Sequence, residues 1–144
     1  MSKLYNLSAE SFSAFGKIIE SDGTKPFEVV VSVPEAKGWR IAVSTLKRKT
    51  ITKLGLHPNT HESFEPISGV AVIIVAPLAQ PENWRAYFLY KPVCLFPNIW
   101  HATLALSQRA VLKVMENNHV ESLHHLLSHP IGFRVVEEDN NNST

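Results

Sequence analysis

One run constrains the fold more than any other, Val70-Ala71-Val72-Ile73-Ile74-Val75-Ala76. It is apolar at both strand parities and rich in β-branched residues. Such a run fits a central strand covered on both faces. Gly69 opens it and Pro77 closes it. It is far shorter than the roughly 18 apolar residues that cross a bilayer as a helix, so it predicts a buried strand and not a membrane span.

The rest of the chain reads as short strands broken by Pro and Gly. Ser8 is placed to cap a short helix over residues 9–15 that Gly16 ends, with Leu7 and Phe12 at the positions of a hydrophobic staple. Strands are expected over residues 27–33, 39–46, 50–56, 84–90, 103–106 and 111–115, with a short helix around 82–86 as the alternative at the start of the fourth. Residues 92–100 carry Pro92 and Pro97, which predicts an edge strand or an irregular approach. Residues 120–128 have helical character, with Leu123, Leu126 and Leu127 on one side, and residues 132–136 suit a last strand. The prediction is an all-β antiparallel barrel of jelly-roll type with a short N-terminal helix and a minor C-terminal helix. It forms a single domain over residues 1–136. The acidic, Asn-rich residues 137–144 read as a disordered tail.

Bulk properties narrow the partners. At 144 residues one domain buries a sizeable core. A formal charge of +1 gives no electrostatic case for nucleic acid or an anionic membrane. Trp39, Trp84 and Trp100 do not interleave with a basic stripe, and Lys47-Arg48-Lys49 reads as a solvated turn. The single cysteine, Cys94, excludes an intrachain disulfide and reads better as a small buried hydrophobe than as a nucleophile. The N-terminus does not read as a signal peptide, and a cytoplasmic location is the default expectation.

Chemistry concentrates in two segments. His57-Pro58-Asn59-Thr60-His61-Glu62 packs two imidazoles and a carboxylate within six positions, and Asn98-Ile99-Trp100-His101 adds a third imidazole. These groups suit a divalent metal such as Zn, Ni, Mn or Fe, with His57, His61, Glu62 and His101 as the ligand candidates. On a strand His61 and Glu62 point to opposite sides, which makes His61 the weakest member. The same parity lets His101 face into a barrel while Trp100 packs outside it, or the reverse. Pro58 also allows a blander reading, with His57 in an exposed turn. His119, His124, His125 and His129 read as a solvated helix face, because no carboxylate or Cys stands at matching spacing.

The joint pattern resembles the ureidoglycolate lyase family, long called ureidoglycolate hydrolases. The resemblance rests on His57-Pro58, Glu62, Phe64, Pro66 and Ser68-Gly69 before the valine-rich run, on Trp84-Arg85-Ala86-Tyr87-Phe88, on Asn98-Ile99-Trp100-His101, and on the N-terminal Phe12, Phe15-Gly16 and Ile19-Glu20. It covers roughly residues 4–116. Three positions depart from the family pattern: its usual Gln is Glu62, a His falls on Phe96, and a His-Pro becomes Ala102-Thr103. The first metal motif of cupins is also approached, with its leading His replaced by Gly55.

The resemblance implies a cupin-type barrel, a homodimer, and cleavage of ureidoglycolate to glyoxylate and urea. That reaction needs a base for the hydroxyl proton and an acid for the departing urea nitrogen. Glu62 and His101 are the candidates, with His57 orienting either one. A small carboxylate substrate needs a cation, for which Lys53, Arg40 and Lys47 are available, and Trp100 is a further candidate for substrate contact. The alternative is a divergent cupin that binds a small carboxylate or a divalent metal without this activity. A plain structural dimer of barrels is the third reading.

Overall fold

The computed structural model describes residues 3–134. The tail and the last two residues of the expected 132–136 strand lie outside them. Eleven strands and one short helix build two curled sheets. The larger sheet has the order β1-β7-β6-β9-β4-β11 and the smaller β2-β8-β5-β10-β3. Here β1 is Leu4–Tyr5, β2 Gly16–Ile18, β3 Trp39–Leu46, β4 Thr50–Leu56, β5 Glu62–Ser68 and β6 Ala71–Ala76. The remaining strands are β7 Arg85–Phe88, β8 Val93–Leu95, β9 Trp100–Ala105, β10 Ala110–Asn117 and β11 Leu123–Gly132. Every pairing is antiparallel except β1 with β7. The chain crosses between the sheets at each step from β3 to β6 and again from β7 to β11. This is an antiparallel jelly-roll barrel.

The valine-rich run occupies the centre expected of it. Strand β6 lies between β7 and β9, and all six of its residues are at most 2% exposed. Ile73 and Val75 pack between the sheets against Phe64, Leu95 and Leu112, while Val72 and Ile74 join a second cluster on the outer face with Leu54, Leu56 and Trp100. Burial on both faces therefore has a separate cause on each face. Gly69 turns the chain into β6 with φ of 73°, where a β-carbon would also overlap the Arg109 carbonyl.

The N-terminal helix α1 is shorter than expected, Ala9–Phe12. Ser8 caps it by accepting from Ser11 N, and Leu7 and Phe12 are both buried as the staple requires. Gly16 does not cap the helix; it begins β2, opposite Leu95, where a β-carbon would overlap the Cys94 carbonyl.

Three expectations are corrected. Residues 27–33 form no strand: Phe27 and Val29 stand 84% and 64% exposed, and the segment joins no ladder but lines a groove with Trp39 and Met115. The minor C-terminal helix is absent; its residues belong to β11, which pairs with the edge of β4. Pairing to that edge outweighs the helical spacing of the leucines, and Pro130 is tolerated because β11 is itself an outer strand. Strand β8 is internal rather than an edge, lying between β2 and β5, with Pro92 and Pro97 flanking it instead of interrupting it.

Candidate functional site

The crossing from β4 to β5 places His57 and Glu62 at one end of the barrel. His57 follows the last residue of β4 and Glu62 opens β5. Strand β9 pairs with β4 at a single position, Gly55 opposite His101, which sets His101 beside His57. Glu62, Phe64 and His101 share the inward parity, so the three polar side chains meet over the apolar core.

Their geometry is compact. Glu62 Oε1 lies 3.1 Å from His101 Nε2, and Glu62 Oε2 lies 3.3 Å from His57 Nε2. The imidazole rings meet edge to face with centroids 5.0 Å apart. One ligand atom from each of the three residues lies within 4.8 Å of the others. Burial opposes the charge on Glu62, but hydrogen bonds with His101 and then His57 outweigh it and hold the carboxyl well below the ordinary range. The bond to Glu62 raises His57 above an ordinary imidazole, against the opposing effect of burial.

The far nitrogens of both rings are also engaged. His101 Nδ1 is 2.9 Å from the Ile99 carbonyl, which only accepts, so Nδ1 carries a proton. His57 Nδ1 is 3.0 Å from the Glu121 carbonyl and 3.0 Å from Ser122 Oγ. A neutral His101 with its proton on Nδ1 aims a lone pair from Nε2 at a carboxylate oxygen. That arrangement is relieved by a proton on Nε2 or by a cation between the two groups. Two imidazole Nε2 atoms and one carboxylate, oriented through Nδ1 contacts, are a fitting donor set for a divalent metal.

Behind Glu62 stands Glu116, its partner across β10. Burial, and then the Glu62 charge, raise its carboxyl above the ordinary value. Arg40 serves this residue, 3.5 Å from it, and does not line the cavity beside Glu62. Trp100 also points elsewhere: it packs on the outer face of the larger sheet, and its indole donates to the Leu78 carbonyl at 2.9 Å. His61 turns away from the trio towards Phe96, with ring centroids 6.3 Å apart. Lys53 does line the cavity, together with Gly55, Phe64 and Thr103. Cys94 is buried, and burial followed by the Glu62 charge pushes its thiol up to about 11, which leaves it inert as a nucleophile at neutral pH.

Several residues at the site escaped the sequence reading. Arg48, Thr50, Thr52 and His124 line the cavity. Arg48 was hidden in a basic run that looked solvated, and His124 was assigned to a helix that does not form. Glu116 had no motif around it; only the pairing of β5 with β10 brings it to Glu62.

No protein-family model matches the chain, and no curated protein matches it by sequence. Among solved structures, a point mutant of Bacillus subtilis oxalate decarboxylase is similar over 60% of this chain, with 25% identity and a TM-score of 0.46. The chain spans about a quarter of that protein, 24% of its length. A sugar 3,4-ketoisomerase from Thermoanaerobacterium thermosaccharolyticum in complex with TDP is similar over 76% of this chain and 84% of its own, with 16% identity and a TM-score of 0.49. RmlC from Streptococcus suis, in complex with dTDP-D-xylose, is similar over 57% of this chain and 45% of its own, with 15% identity and a TM-score of 0.44. These neighbours are cupin-fold proteins; the architecture of the present chain rests on its own strand order. No helix among the described residues is long and apolar enough to cross a membrane.

Proposed function

We propose that the chain is a cupin enzyme acting on a small 2-hydroxy carboxylate, and specifically a lyase that cleaves ureidoglycolate to glyoxylate and urea. The observation that carries this reading is one ionised carboxylate held between two imidazoles beside a cavity. In the reaction the hydroxyl O–H bond breaks, a carbonyl forms, the carbon–nitrogen bond breaks, and the urea nitrogen gains a proton. In this reading Glu62 takes the hydroxyl proton and passes it to His101, 3.1 Å away, because a carboxyl held well below the ordinary range does not keep a proton. His101 donates to the departing nitrogen, and its Nδ1 contact with Ile99 keeps Nε2 aimed at the reacting groups. His57 sits across Glu62 and orients it. Purified protein given ureidoglycolate should release glyoxylate and urea in equal amounts; no release removes the lyase reading.

A second reading is favoured by the orientation of the imidazoles. His57, Glu62 and His101 would together hold a Zn, Ni, Mn or Fe ion in a cupin that binds a small carboxylate, with or without turnover. Such an ion, when bound, polarises an oxygen of the ligand as a Lewis acid. Stoichiometric metal in purified protein, without glyoxylate release, supports this second reading over the first. In either reading we place the chain in the cytoplasm, where a lone thiol such as Cys94 suits a reducing milieu, and as a homodimer, which the exposed apolar face of β3 supports.

A further inference from the structure

The cavity beside Glu62 has an unbalanced wall. It encloses about 340 Å³ between β4, β5 and β9. That is near the lower end for small-molecule sites and suits a short ligand. The cavity exists because β4 and β9 separate beyond their one paired position, Gly55 with His101. Two cations line it, Arg48 and Lys53, and neither is in an ion pair among the described residues. Glu62 supplies the one carboxylate of the lining, and it is already taken by His57 and His101. Thr50, Thr52 and Thr103 are also among the lining residues.

The turn that carries Arg48 is anchored. Its carbonyl accepts from Ala105 N at the end of β9, 3.0 Å away, and the neighbouring Lys49 donates to the Ser107 carbonyl. The main chain is therefore fixed across the cavity mouth while the guanidinium is left without a carboxylate partner. Arg48 and Lys53 are exposed at the rim with no carboxylate partner among the described residues, and unpaired cations beside a concave site draw an anion and add little for a neutral ligand.

We propose that Arg48 and Lys53 form the carboxylate subsite of this cavity, holding the acid group of a short 2-hydroxy acid so that its hydroxyl carbon faces Glu62 and His101. This rests on the small-carboxylate reading above and replaces Arg40, which is committed to Glu116. The subsite selects for the charge of the acid group rather than for its shape.

The test compares glycolate with its neutral amide, glycolamide, by calorimetric titration of the metal-free full chain. Wild type should bind glycolate about tenfold or more tightly than glycolamide, the size expected of a charge-assisted contact. The double substitution Arg48→Gln with Lys53→Gln should abolish that preference and leave glycolamide binding unchanged. Mn(II) binding, followed by its EPR signal, should also be unchanged, which excludes a general loss of structure. Equal binding of the two ligands by wild type, or a preference that survives in the double variant, overturns the subsite. Absent glyoxylate release with an intact glycolate preference removes the lyase reading alone.

Discussion

At the scale of single residues, the site depends on one carboxylate whose charge the fold itself enforces. Glu62 is 7% exposed and would favour its neutral form if buried alone. The two imidazoles reverse that preference. Glu62→Gln keeps the shape but removes the proposed proton acceptor, and His101→Ala removes the proposed proton donor. Each should lower glyoxylate and urea release by roughly 10²- to 10⁴-fold, the usual worth of a positioned acid or base. Release at the wild-type rate from either variant would take that residue out of the chemistry. Strand parity in the sequence ranks His61 below Glu62, and the structure brings Glu62 together with His57 and His101. The places of Trp100 and Arg40 were not legible in the sequence. Parity left the direction of Trp100 open by one residue, and Arg40 is claimed by Glu116, a partner that only the register of β3 with β10 reveals.

At the scale of elements, short segments far apart in sequence hold the site in place. Asn59 is the clearest: its side chain donates to the His119 carbonyl and accepts from Glu121 N, both at 2.9 Å. It thereby fixes the turn whose Glu121 carbonyl meets His57 Nδ1. Asn59→Ala should weaken Mn(II) binding about 10- to 100-fold, as removal of an orienting contact does elsewhere, while the far-UV spectrum stays native. Unchanged Mn(II) affinity would show that His57 needs no such support. Strand β11 has its own clasp. Its ladder to β4 shifts between Leu126 and Ile131, and there Glu82 accepts from Ser128 N at 2.9 Å and bonds His125 Nε2 at 2.9 Å. The bond with His125, then that from Ser128 N, lowers the Glu82 carboxyl below its ordinary value. The clasp is therefore complete above the ordinary carboxylate range and lost as pH falls through the lowered value. Amide exchange across residues 126–131 should quicken over that acidic window in wild type, and at neutral pH in Glu82→Ala. Equal protection in both proteins at neutral pH would mean that the β4 ladder suffices. Sequence periodicity misread β11 as a helix because it sees leucine spacing and not the waiting edge of β4. It misread residues 27–33 as a strand because β-branched composition does not tell whether a segment pairs in a ladder, and this one lines a groove beside Trp39 without pairing.

At the scale of the whole molecule, the smaller sheet ends in a strand that a lone barrel leaves unguarded. β3 pairs with β10 on one side and with no strand on the other. Trp39, Ile41 and Val43 on its outer face are 66%, 53% and 66% exposed, and Met115 opposite Ile41 is 44% exposed. Soluble proteins ordinarily blunt such an edge with charge, proline or a covering segment. Here β3 carries one charged residue, Arg40, which is half exposed and pairs with Glu116. The homodimer proposed above would seat a second copy of the chain there, because an antiparallel edge paired about a twofold axis presents the same residues to itself. The chain should therefore elute and scatter light as a dimer at twice its 16.1 kDa. Ile41→Lys with Val43→Lys should return it to a monomer at micromolar concentration, since two like charges would then face their own copies across the axis. The cavity and the His57, Glu62 and His101 trio lie on the inner side of the sheets, so Mn(II) binding should persist in that monomer. A wild-type monomer over the same concentration range would leave the β3 edge without this partner.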